Sequence, residues 1–142
     1  MKTIKDIFKL NLGTRGGVKQ FNNIINKYII NKKEKKELFK EVKNINKGED
    51  SFDDGMEYYL VLDSIHIEGR YGISVCSVIM DGKIYNRGNE DQDIIAVSIS
   101  NKMLIQDYGH TMKETLISYD NDLTDSSKFK RITAKEYYSL LN

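Results

Sequence analysis

The chain has 142 residues, enough for one ordinary domain with a buried core and no covalent staples. A single cysteine excludes an internal disulfide and any multi-cysteine metal site. The net charge of +1 hides a split: residues 1–48 carry 13 basic and 4 acidic side chains, or +9, and the rest of the chain carries −8. That asymmetry predicts a basic arm and an acidic body, with nucleic acid or an acidic protein surface as the arm's partner.

The first residues, MKTIKDIFKL, spread their charges evenly and lack the apolar run of a secretion signal. Thr3 and Asp6 frame a short helix with Ile4, Ile7 and Phe8 as its stripe. LGTRGG then reads as a flexible hinge. GTRGGVK lacks the spacing of a phosphate-binding loop and follows a helix rather than a strand. Val18, Phe21, Ile24, Ile25, Tyr28 and Ile29 follow at steps of three and four, which predicts a helix over 18–30.

Asn31 and Glu34 then supply a cap and a third-position acid, which starts a second helix over 32–46. Gly48 ends it. Lys32, Lys33, Lys35, Lys36 and Lys40 fall on and around its polar side. Glu37 and Glu41 stand four apart, as do Lys33 and Glu37, so the spacing predicts charges that pair along a solvated face. These five lysines and Arg15 are the candidate contact residues for a protein or a nucleic acid.

GEDSFDDG, over 48–55, is the best linker, and 49–55 is taken as the boundary between arm and body. Beyond it the texture turns β-branched and aromatic. Strands are predicted at 56–62, 64–68, 71–80 and 83–86, with Asp81-Gly82 as a two-residue hairpin. A second hairpin is predicted from 93–100 and 103–108, and a last strand from 113–119. Thr133 and Glu136 cap a closing helix over 134–141. The fold class is α+β: a helical N-terminal arm of two to three helices, an antiparallel β body over 56–142, and a short C-terminal helix.

Signals for chemistry are sparse. Cys76 lies in an apolar run and reads as a buried small hydrophobe. His66 alternates within a strand, and His110 lies near Asp107 with no nucleophile placed beside them. Asp120, Asp122 and Asp125 open like a calcium loop, but the sixth-position glycine and twelfth-position glutamate are missing. Tyr58 and Tyr59, like Tyr137 and Tyr138, are adjacent pairs, and one member of each pair is expected at the surface as part of an interaction face. No cofactor, metal or catalytic residue is expected, and no apolar run is long enough to span a membrane.

The lysine-rich VKQFNNIINKYIINKKEKKELFKEVKNI and the ending KRITAKEYYSLLN resemble, in style, small proteins of tailed phages of gut Bacteroidetes, including crAss-like phages. The likeness covers 18–46 and 129–142. It implies a non-enzymatic structural or adaptor protein of a virion or its assembly. Such a protein would contact copies of itself or another virion protein, and would act in the bacterial cytoplasm or in the particle. The alternative is a nucleic-acid-binding accessory protein that uses the basic helices of 1–48.

Overall fold

The computed structural model describes residues 2–48, 56–63, 77–85, 93–100, 104–105, 110–111 and 125–142. The architecture is α+β: helices at the N-terminus, a five-stranded antiparallel sheet, and a short helix at the C-terminus.

The chain enters through a 3-10 helix, Ile4–Lys9, which turns Ile4, Ile7 and Phe8 inward. Its first acid works at once, because the Asp6 carboxylate accepts the Thr3 backbone N–H at 2.7 Å. That bond holds the Asp6 pKa below the ordinary value. Helix α1 follows at Arg15–Ile25, and its cap is Thr14, whose hydroxyl accepts the Gly17 N–H at 3.0 Å. The expected hinge therefore ends in the cap and first turn of a helix. Gly17 is fixed by space rather than flexibility: a β-carbon there would lie 1.8 Å from the Asn11 carbonyl oxygen. Helix α1 stops at Ile25 instead of 30, and Tyr28 leaves the helical stripe so that its hydroxyl accepts the Ile4 N–H at 3.0 Å.

Helix α2 spans Lys32–Asn46 as the spacing predicts. Asn31 caps it, its side-chain oxygen accepting the Glu34 N–H at 2.8 Å. Gly48, at φ +78°, terminates it. Asn46 fastens this end: its amide donates to the Leu10 carbonyl at 2.9 Å and its oxygen accepts the Leu12 N–H at 3.1 Å.

The sheet is built from β1 (Met56–Val61), β2 (Ser77–Met80), β3 (Lys83–Tyr85), β4 (Ile94–Ser100) and β7 (Phe129–Ile132), in the order β3-β2-β4-β1-β7. Asp81 and Gly82 both have positive φ, 52° and 68°, which suits the right-handed twist of a two-residue hairpin joining Met80 to Lys83. Of the second expected hairpin, β4 is flanked by β1 and β2, and the described part of its return, β5 (Leu104–Ile105), pairs with β6 (His110–Thr111) in a separate ladder; residues 103 and 106–108 lie outside the described residues. Strand β7 was not predicted, because its centre is the charged pair Lys130-Arg131 and only Phe129 and Ile132 are buried. The expected strands at 64–68 and 113–119, residues 71–76 of another, and the linker 49–55 lie outside the described residues.

Helix α3, Ala134–Tyr138, is capped by Thr133, whose hydroxyl accepts the Glu136 N–H at 3.1 Å. It ends three residues before the predicted 141. Leu141 is still buried, and the Asn142 N–H donates to the Gly82 carbonyl at 2.9 Å.

One apolar core joins the parts. Ile4, Phe21, Leu38 and Val42 from the helices belong to the same cluster as Met56, Ile79, Ile99 and Tyr137. The basic arm therefore packs on its own body. The tyrosine pairs are corrected here too: Tyr58, Tyr59, Tyr137 and Tyr138 are all buried, none above 5 % exposed. Neighbours on a strand point to opposite faces, and both faces are covered at Tyr58 and Tyr59. Tyr58 meets Tyr137 at a tilt with centroids 5.0 Å apart, and Tyr137 meets Tyr138 edge-on at 4.9 Å.

The glycine contrast is testable. Gly17→Ala forces a methyl against a backbone carbonyl and should destabilise by about 3 kcal/mol or more. Gly16→Ala meets open space and should be neutral or stabilise by about 0.5 kcal/mol. Urea denaturation of the two variants checks the pair.

Candidate functional site

The polar side of α2 is more uniform than its sequence suggests. Its buried positions are Glu34, Leu38, Glu41 and Val42, a stripe at helical spacing that carries two acids inward. Lys32, Lys36, Lys40, Lys43 and, at the C-cap, Lys47 are exposed. Their steps of four, four, three and four make one row about 22 Å long at 1.5 Å per residue. No exposed position of α2 holds an acid.

Glu41 is turned inward rather than lying on the solvated face. Glu41 is only 8 % exposed and its carboxylate accepts the Lys135 N–H of α3 at 3.4 Å. Lys33, Lys35 and Glu37 are half-buried along the flanks. Lys43 lies 5.3 Å from the centroid of the Phe39 ring, a cation–π contact that helps hold that part of the row in place. Arg15 is exposed, but it opens α1 and is not part of the row.

Behind the row is a polar network that sequence reasoning missed. Glu34 is fully buried. Its Oε2 accepts the Tyr138 hydroxyl of α3 at 2.8 Å and the Ser77 hydroxyl of β2 at 3.4 Å. Ser77 Oγ lies 2.6 Å from Ser98 Oγ of β4 and 2.8 Å from the Tyr137 hydroxyl. Burial pushes the Glu34 pKa up to about 7, against the opposing effect of hydrogen bonds from Tyr138, Ser77 and Ser98. Burial, and then the Glu34 charge, raise the Tyr138 pKa. The available signal is positional: residue 34 lies four before Leu38, on the line of the apolar stripe, as well as at the third position of the cap.

A second buried carboxylate, Glu57 of β1, is 3.3 Å from the Arg131 guanidinium and accepts the Tyr59 hydroxyl at 2.5 Å. Burial, with the bond to Glu57 next, raises the Tyr59 pKa. Both groups are spent on the sheet. A groove of about 710 Å³ beside α3 is lined by Ile45, Leu60, Ile132, Thr133, Lys135 and Leu140 among others. The Thr133 hydroxyl there is already engaged as a cap.

His66, Cys76 and Asp107, like Asp120 and Asp122, lie outside the described residues. Asp125 accepts the Ser127 N–H at 3.0 Å and the Ser127 hydroxyl at 2.6 Å, which lowers its pKa. Among the described residues, no three potential metal ligands come together, and no helix is long and apolar enough to cross a membrane.

Comparison with protein-family models, curated proteins and solved structures finds no match.

The cap that starts the lysine helix sets its register. Asn31→Ala should cost about 1 kcal/mol of stability, read from the urea midpoint, because the Glu34 N–H loses its acceptor.

Proposed function

We propose that the protein is a non-enzymatic adaptor whose working surface is the lysine row of α2 and whose partner is an acidic protein surface. The observation that carries this reading is the sorting of charge on α2. Its acids at 34 and 41 turn into the core, and its exposed positions are four lysines and, at the end, Asn46. A row of one sign steers an oppositely charged partner and fixes its orientation.

Ile29, half-exposed just before the row, offers an apolar anchor that a phosphate backbone would not use but a protein interface would. The resemblance to small phage virion and assembly proteins points the same way. The partner is then another virion protein or a further copy of the chain, whose remaining residues carry the complementary −8.

Nucleic acid is the second reading. Lysines exposed along a straight row favour it, since phosphate contacts need charge at intervals rather than base-reading side chains.

One triple variant tests the reading. Lys32, Lys36 and Lys43 are replaced by glutamate, and folding is checked by circular dichroism. Native mass spectrometry of the wild type, with absorbance at 260 nm, should show a discrete protein assembly free of nucleic acid, and the variant should fall to monomer. Co-purifying nucleic acid with a steep salt dependence, lost in the variant, would move the assignment to the second reading. An assembly unchanged in the triple variant would defeat the row as the contact surface.

A further inference from the structure

The inward face of α2 holds a device independent of whatever the row contacts. Glu34 lies at the meeting point of four elements. Asn31 of its own helix lies 3.5 Å from Oε1, Ser77 comes from β2, Ser98 from β4, and Tyr137 and Tyr138 come from α3. Tyr58 of β1 packs against both α3 tyrosines, with ring centroids 5.0 and 6.0 Å away. Among the described residues, the titratable groups facing Glu34 are thus tyrosines. Its hydrogen-bond partners among the described residues are hydroxyls and one amide, and none is a cation.

The chemistry of that cage differs between the two forms of the acid. A neutral carboxylic acid can donate its own proton into the hydroxyl chain while accepting from Tyr138. A carboxylate can only accept, and it carries a full charge into a site that offers dipoles alone. We infer that Glu34 and its hydroxyl cage form a proton-operated latch that holds α2 onto the sheet and α3. The acid form closes the latch and the carboxylate form loosens it.

The sign follows from linkage. In the unfolded chain Glu34 ionises near its ordinary value of 4.5, whereas in the folded chain it ionises near 7. Between those values the folded protein keeps a proton that an opened α2 releases. Closure is strongest at low pH, weakens as pH rises through the window, and levels off above about 7. Between pH 6 and 8 the closed-to-open ratio should fall about tenfold.

The test uses the full chain with glutamate labelled at the side-chain carboxyl carbon. One resonance should titrate with a midpoint near 7 and vanish in Glu34→Gln. Hydrogen–deuterium exchange, corrected for intrinsic pH dependence, should show the α2 amides losing about tenfold protection from pH 6 to 8. In Glu34→Gln that pH dependence should be absent. Should the glutamine variant not fold, Tyr138→Phe takes its place. Loss of its 2.8 Å donor removes a bond that favours the carboxylate, so the midpoint should move upward. A Glu34 resonance titrating below 5, α2 protection that does not change with pH, or an unmoved midpoint in Tyr138→Phe would each overturn the latch.

Discussion

The docking of α2 is the constraint on which the rest of the structure depends. This helix has only Leu38 and Val42 as fully buried apolar residues, with Phe39 and Ile45 half-buried beside them. Complete burial of such a side chain stabilises by about 1.5–3 kcal/mol. That is a thin stripe for fifteen residues so rich in lysine. The helix is held by polar bonds at both ends and in the middle: Asn31 at its start, Asn46 on the loop at 10–12, and Glu34 and Glu41 reaching into β2 and α3. Each acid satisfies a donor that burial would otherwise leave costly. Turning them inward also removes their charge from the outer face, so the same choice of rotation that docks the helix creates the lysine row.

The tyrosines are the other half of that arrangement. Nine tyrosines and no tryptophan suggest a binding face, yet the four in adjacent pairs are core residues. Tyrosine suits this core because its ring packs like phenylalanine and its hydroxyl can finish a polar chain. Tyr137 and Tyr138 do both, packing their rings against Tyr58 while bonding to Ser77 and Glu34. Tyr28 does the same at the 3-10 helix. With this aromatic surface consumed inside, the surface of α2 speaks mainly through charge.

The sequence made some of this legible and hid the rest for physical reasons. Caps are local, so Asn31 with Glu34, and Thr133 with Glu136, located helix starts to the residue. Asp81-Gly82 likewise announced its hairpin, since few residues tolerate positive φ. Strand partners are not local. Nothing between 93 and 108 tells that β4 will be flanked by β1 and β2, nor that Phe129–Ile132 will close an edge of the sheet. The lysines were visible, but whether Glu41 would share their face depended on which way α2 rotates. Two acids on the apolar line at 34 and 41 were the hint, and that hint becomes an argument only once α3 supplies their donors.

The two faces of α2 therefore answer to different solution variables. Charges on the outer row lie in water, where 0.15 M salt screens them beyond about 8 Å. Their attraction to a partner weakens with salt. Glu34 is sealed from mobile ions, so salt hardly reaches it, while protons act on it directly. A salt titration and a pH titration thus probe opposite sides of one helix. Where both move the same observable, the row and the latch are coupled through the rigid body of α2. Where only one does, the helix presents its lysines without regard to how firmly it is held.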